Sequence, residues 1–303
     1  MSINKVALVG ATGNIGPAIL KALLDNDFEV TILTREGSTS TDTLSSHPRQ
    51  KIAKINLSDV NSITPALHGI QGIVSNMASH ALLSQKVLID AAIAAGVQRF
   101  IPSDFGSDLS VAANKTVPFN KPKVEIHEYI ESQIKSHPSF SYTSVITGPF
   151  FDWSLRAGLF GDLQSHTATL WDNGTTPVST TTLASVGKAV VGVFRNLSAT
   201  KNTAIRVADT TLTQAQILDI VKSVDGKTWT TTPGSTEEAY QKGLDEMKKP
   251  NPDMAVMIYN QLYRILFSEV HEPGYADRLD NEKVGLPVMT EEQVREVVRG
   301  CVA

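Results

Sequence analysis

The chain has 303 residues, 41% of them hydrophobic and 19% charged, a balance that fits a globular protein and excludes a disordered one. A formal net charge of −4 leaves no basic field to hold nucleic acid. The single cysteine, Cys301, excludes an internal disulfide, and no Cys/His spacing suggests a metal site, so a reducing compartment is expected.

The first residues, Met-Ser-Ile-Asn-Lys, run into an apolar stretch without a basic-then-apolar signal segment, and no apolar run approaches the ~20 residues that span a bilayer. A cytoplasmic protein without membrane contact is expected, as a monomer or homodimer. Val6–Val9 reads as a buried strand, Gly10–Gly16 as a glycine-rich turn, and Ile15–Leu24 carries apolar residues at helical spacing. Glu29–Thr34, Lys51–Ile55 and Gly72–Ser75 read as further strands, Leu82–Ala95 as a helix, and Phe100-Ile101 as the start of a fifth strand. Residues 38–46, rich in Ser and Thr, read as a surface loop. Residues 103–120 have no period, which predicts a functional or mobile loop.

Lys123–Ile134 reads as a helix and Tyr142–Ile146 as the sixth strand. Beyond Pro149 the rhythm changes, with helix candidates at Thr213–Val224, Glu237–Met247, Met254–Phe267 and Glu291–Val298. The predicted class is α/β, a Rossmann-type doubly wound parallel sheet over 1–149. A smaller mixed α/β substrate-binding region over 150–303 follows, whose strands can cross back to the sheet.

Gly10-Ala11-Thr12-Gly13-Asn14-Ile15-Gly16 lies between the first strand and the first helix, the context a dinucleotide loop requires. Gly10 allows the tight turn, Gly13 lets the backbone approach a pyrophosphate, and Gly16 permits close helix–strand packing. The amides of this loop, with Thr12, Asn14 and Ile15 among them, face the anion at the positive end of the helix. About 20 residues on, where an acid would bind the ribose of NAD, the chain has Thr34-Arg35. A guanidinium matches a 2′-phosphate, so NADP(H) is the expected cofactor; Arg35 also reads as an ordinary solvated arginine. Asn76 and Met77, after the fourth strand, are expected on the adenosine–ribose side.

No tyrosine is followed by the Tyr-x-x-x-Lys spacing of the usual short-chain dehydrogenases. Lys123 and His127 lie four residues apart, on one face of a helix that opens at the expected sheet crevice. A partly desolvated lysine beside a second basic group suits proton transfer near neutral pH, although most helix lysines are simply solvated. Phe150, Phe151 and Trp153 read either as an apolar wall for a flat substrate or as packing between the two regions. Asp152 reads as a substrate ligand or a cap, and Asp104 as a loop anchor.

These residues resemble the NmrA-like, isoflavone-reductase-like branch of atypical short-chain dehydrogenases. The likeness rests on GATGNIG at 10–16, Thr34-Arg35, RFIPSDFGSD at 99–108, KVEIHEYIES at 123–132 and SYTSVITGPFFDW at 141–153. It covers the N-terminal half in order; the C-terminal half matches only in general pattern. The resemblance implies NADPH as cofactor, with Arg35 at the 2′-phosphate, Phe150 near the nicotinamide and Gln85 near the nucleotide, where it also reads as a helix cap. It puts Lys123, rather than Lys121, at the family's catalytic lysine, and it implies a small aromatic substrate; His127, on the same helix face as Lys123, is expected at the substrate end.

Three features depart from the plant pattern: Asp104 replaces a longer acid, Ile126, His127 and Glu128 replace paired arginines, and 136–140 reads SHPSF as in fungal members. The function expected is an NADPH-dependent reductase of an aromatic or polyketide-like secondary metabolite, acting on a carbonyl, enone or benzylic ether. The alternatives are a non-catalytic NADP(H)-sensing regulator that binds a protein partner, and a non-redox isomerase or dehydratase.

Overall fold

The computed structural model describes residues 3–302. The first half alternates β1 (Lys5–Val9), α1 (Gly16–Asp25), β2 (Glu29–Arg35), β3 (Gln50–Ile55), α2 (Val60–Ile63), β4 (Gly72–Ser75), α3 (Gln85–Ala94) and β5 (Arg99–Ile101). Then follow α4 (Ala112–Thr116), α5 (Lys121–Ser136), β6 (Ser141–Ile146), α6 (Phe151–Arg156), β7 (Thr167–Trp171) and β8 (Pro177–Thr180). The remainder is α7 (Leu183–Arg195), β9 (Thr203–Arg206), β10 (Thr210–Thr213), α8 (Gln214–Asp225), β11 (Thr230–Gly234), α9 (Thr236–Glu246), α10 (Met254–Phe267), α11 (Asn281–Val284) and α12 (Glu291–Val302).

Seven parallel strands form the main sheet in the order β3-β2-β1-β4-β5-β6-β9. The order reverses between β1 and β4, and ligands of open α/β sheets bind outside the strand ends at such a point. In register, Val9 pairs with Leu33 on one side and Ser75 on the other, so the chain leaves all three strands at one edge. β1 and β4 are apolar and buried because helices cover both faces of the sheet. On one face Ile19, Leu23, Val186, Val190 and Phe194 bury α1 and α7; on the other Leu88, Ile126 and Ile130 bury α3 and α5. A third core, around Phe160, Ile217, Phe267 and Val298, holds the C-terminal layer together.

The chain crosses back to the sheet after residue 150: α7 packs on α1, and β9 extends the sheet beside β6. Neither was among the elements expected from the sequence. α7 is rich in valine and glycine, poor helix formers, and tertiary contact decides it. A Cβ on Gly187 would stand 2.6 Å from the Ala18 carbonyl oxygen, so its bare backbone is what lets the two helices meet. Arg99, almost fully buried, ties the same seam: its guanidinium reaches Ser141, Thr143, Thr200 and the Leu197 carbonyl, with no carboxylate partner among the described residues. The expected helix over 82–95 divides into a 3₁₀ turn, Ser79–Ser84, and α3.

Candidate functional site

At the edge defined by β1, β2 and β4, Gly10 adopts φ +76°, and a Cβ there would stand 1.9 Å from the Asn76 carbonyl oxygen. Asn76 Nδ2 donates to the Gly10 carbonyl at 2.9 Å, so the loop after β4 braces the glycine turn. Within the turn, Gly13 N donates to Gly10 O and Gly16 N to Gly13 O, both at 3.1 Å. Among the described residues, the amides of Thr12, Asn14 and Ile15 take no backbone partner. These amides, opening α1, form a cradle that suits a pyrophosphate. A Cβ on Gly16 would lie 2.2 Å from the Gly10 carbonyl oxygen, so Gly16 supports the turn from beneath.

A cleft of about 690 Å³ runs along this edge. Its nucleotide end is lined by Gly10, Thr12, Gly13, Asn14, Ile15 and Arg35, with Asn76 and Met77 opposite. Arg35 is exposed, and among the described residues no carboxylate lies within ion-pair distance of it; the adjacent Glu36 leaves it free. The other end of the cleft is lined by Lys123, Phe150 and Trp153. Both ends belong to one continuous cleft.

Lys123 Nζ donates to the Asp104 carbonyl oxygen at 2.5 Å. Burial pulls the Lys123 pKa below the ordinary lysine value, and the Asp104 charge recovers only part of the loss. Asp104 is itself buried; its Oδ2 meets His127 Nε2 at 2.7 Å and accepts from the Ser144 hydroxyl. Burial alone would push this carboxyl up, but His127, with Lys123 and Ser144, holds it below the usual range. His127 shows the converse: burial would lower its pKa, yet Asp104 outweighs burial and raises it.

Besides Gly16, which lies beneath the turn, three expected site residues lie outside the cleft lining. Gln85 is 1% exposed; its Oε1 accepts from Ser103 N at 2.9 Å and its Nε2 donates to Leu82 O, so it anchors the loop after β5 and does not reach the nucleotide space. His127 sits behind Lys123, turned toward Asp104 and edge-on to the Tyr142 ring, away from the substrate end. Phe151 is fully buried against Phe160 in the C-terminal core, because it faces inward where α6 begins, while Phe150 and Trp153 face the cleft. Asp152 is a cap: its Oδ1 accepts from Leu183 N at 3.0 Å, tying α6 to the start of α7.

Residues 103–120, expected as an irregular loop, carry α4 and a 3₁₀ turn at Pro118–Asn120, and are pinned down. Asn114 Oδ1 bonds His271 Nδ1 at 2.8 Å, and Phe119 N donates to Gln261 Oε1 at 2.9 Å. This docking brings Phe119 to the cleft, where Ile258 of α10 also lines the wall. Ser38, Ser40 and Thr41 line the nucleotide end near Arg35. Phe119 and Ile258 carried no sequence signal, since their place depends on contacts more than a hundred residues away. The hydroxyl-rich run after Arg35, expected as a surface loop, thus contributes to the nucleotide end of the cleft.

The chain matches the model of the NmrA-like family over residues 2–281. The protein Oxidoreductase aprR of Aspergillus flavus is 32% identical over 254 residues, covering 81% of this chain and 82% of that protein. The solved structure of AtPrR2 with NADP+ and (+)pinoresinol superposes with a TM-score of 0.80 at 21% identity, covering 99% of each chain. The leucoanthocyanidin reductase–NADPH binary complex of Vitis vinifera gives a TM-score of 0.78 at 17% identity, over 97% of this chain and 99% of that one. The structural likeness confirms the Rossmann-type fold, and the match along nearly the whole length shows that the chain belongs to the NmrA-like family.

Proposed function

We propose that this protein is an NADPH-dependent reductase of a small aromatic or polyketide-like molecule, acting on a carbonyl, enone or benzylic ether, with Lys123 supplying the proton. The observation that carries this reading is the single cleft that joins the glycine cradle and Arg35 at one end to Lys123, Phe150 and Trp153 at the other. The names of the relatives support it: one is an oxidoreductase, and two solved neighbours hold NADP+ or NADPH.

The cradle amides would hold the pyrophosphate, and Arg35 would take the 2′-phosphate through paired N–H bonds. When bound, the reduced nicotinamide supplies a hydride to the acceptor carbon. Phe150 and Trp153 would present an apolar wall to a flat substrate and keep water out. Lys123 spends one of its three N–H groups on the Asp104 carbonyl, which leaves two for the substrate oxygen. A lysine pKa pulled down by burial makes the ammonium a better acid for the oxygen that gains negative charge.

Titration of the protein with NADPH and NADH, repeated on Arg35→Ala, tests the cofactor. A strong NADPH preference that the variant loses is expected; equal affinity for both nucleotides would overturn the Arg35 assignment. A screen of aromatic enones and ketones for NADPH oxidation tests the reaction. Lys123→Ala is expected to keep NADPH affinity and abolish turnover, and loss of binding in that variant would show its role to be wrong. Tight NADPH binding with no turnover would instead support a dinucleotide sensor.

A further inference from the structure

The Lys123 ammonium has one protein partner among the described residues, the Asp104 carbonyl oxygen. Where that ammonium points is therefore set by one peptide group. The peptide belongs to a strained turn: Phe105, the next residue, has φ +28°, and Asp104 N donates to Pro102 O at 2.8 Å. A turn of this kind needs an anchor, and the Asp104 side chain is placed to be one. Its carboxylate is gripped from two elements, by His127 of α5 at 2.7 Å and by the Ser144 hydroxyl of β6.

Lys123 and His127 lie one helical turn apart on α5, so one helix face holds the same residue twice, once by its carbonyl and once by its carboxylate. Neither His127 nor Ser144 lines the cleft, so neither can touch a substrate there. They can act only through Asp104.

We propose that His127 is a positioning residue for Lys123: together with Ser144 it clamps the Asp104 carboxylate, and so fixes the peptide carbonyl that aims the ammonium into the cleft. The inference rests on the reading of Lys123 as the proton donor. The charged and titratable groups around the imidazole are Asp104 from the turn, Lys123 and Glu131 from α5, and Tyr142 from β6. The same clamp divides the charge of Asp104 between two cations. When the imidazolium loses its proton, the carboxylate acts on Lys123 unopposed, and Lys123 holds its own proton more firmly.

Two variants separate position from charge. His127→Gln keeps an N–H donor near the Nε2 position without a charge; His127→Ala removes both. The measurements are NADPH affinity, the pH profiles of kcat and KM with the best aromatic acceptor, and the NMR titration of the Lys123 Cε resonance in protein with ¹³C-labelled lysine, assigned by its absence in Lys123→Met. In His127→Ala, NADPH affinity is expected within twofold of the parent, with kcat lower by about tenfold or more, KM little changed and the Lys123 titration displaced upward. His127→Gln is expected to recover most of kcat near neutral pH and to lose the pH dependence contributed by the imidazole. An unchanged kcat and Lys123 titration in His127→Ala would overturn the proposal, as would equal losses in Ala and Gln accompanied by weakened NADPH binding. If the parent protein reduces no acceptor, the reductase reading fails by itself, and the Lys123 resonance still decides whether the clamp exists.

Discussion

His271, which lies outside the cleft lining, offers a sharp test of how this fold responds to acid. It is 5% exposed, and its Nδ1 meets Asn114 Oδ1 at 2.8 Å. Asn114 Nδ2 donates to the Asp108 and His271 carbonyls, so Oδ1 faces the ring and Nδ1 carries the proton. Burial, helped by the Arg264 charge, lowers the His271 pKa from 6.5 to about 4. The native ring therefore stays neutral where the ring of the unfolded chain is already charged. Between these two values the unfolded state binds more protons, so stability falls as pH drops through 6.5 toward 4 and is fully present above 6.5. At about 1.4 kcal/mol per pH unit, the contribution lost is about 3 kcal/mol, or about 5 °C in Tm for a chain of this length.

His271→Asn places an amide N–H near the Nδ1 position and cannot titrate. It should cost about 1–2 kcal/mol at pH 7.5 for the lost half-ring. Urea unfolding of both proteins from pH 7.5 to 4.5 would then show the gap closing, with the variant the more stable at the acid end. A gap that stays constant over this range would refute the reasoning, because every other titrating group is common to both proteins.

Gly10→Ala puts a methyl 1.9 Å from the Asn76 carbonyl oxygen on a backbone of φ +76°, and should weaken NADPH by roughly thirtyfold or more in a fluorescence titration. Gly187→Ala should cost about 1–3 kcal/mol in urea unfolding by wedging α7 from α1, where the Cβ would come within 2.6 Å of Ala18 O. Arg99→Met leaves the Thr200 and Leu197 carbonyls without their buried donor and should cost about 3 kcal/mol; Arg99→Lys should rescue little, since an ammonium cannot span the fork.

Much of the fold was legible because its determinants are local. Six short strand-like runs alternating with helix and turn signals pointed to the parallel sheet, and GATGNIG marked the cradle, where Gly10 takes a positive φ. The helix expected over Met254–Phe267 matches α10 at both ends, and in the structure Asp253 caps it by accepting from Ala255 N and Val256 N. β9 escaped notice: four residues, TAIR, carry no period long enough to identify, and only pairing with β6 makes them a strand.

The site divides along the same line. Spacing alone brought Lys123 and His127 to one helix face, and strand order brought Arg35 and the glycines to one edge. Which way each side chain turns was beyond local information. Phe150 and Phe151 are neighbours with the same ring, yet one lines the cleft and the other fills the core. Gln85 and His127 face internal partners, Ser103 and Asp104, whose positions depend on a turn held by β6. Periodicity and turn chemistry act over a few residues, so the sequence alone determined the layers and the cradle. Docking of 103–120 onto His271 and Gln261 joins segments more than a hundred residues apart, and only the tertiary structure could decide which residues meet in the cleft.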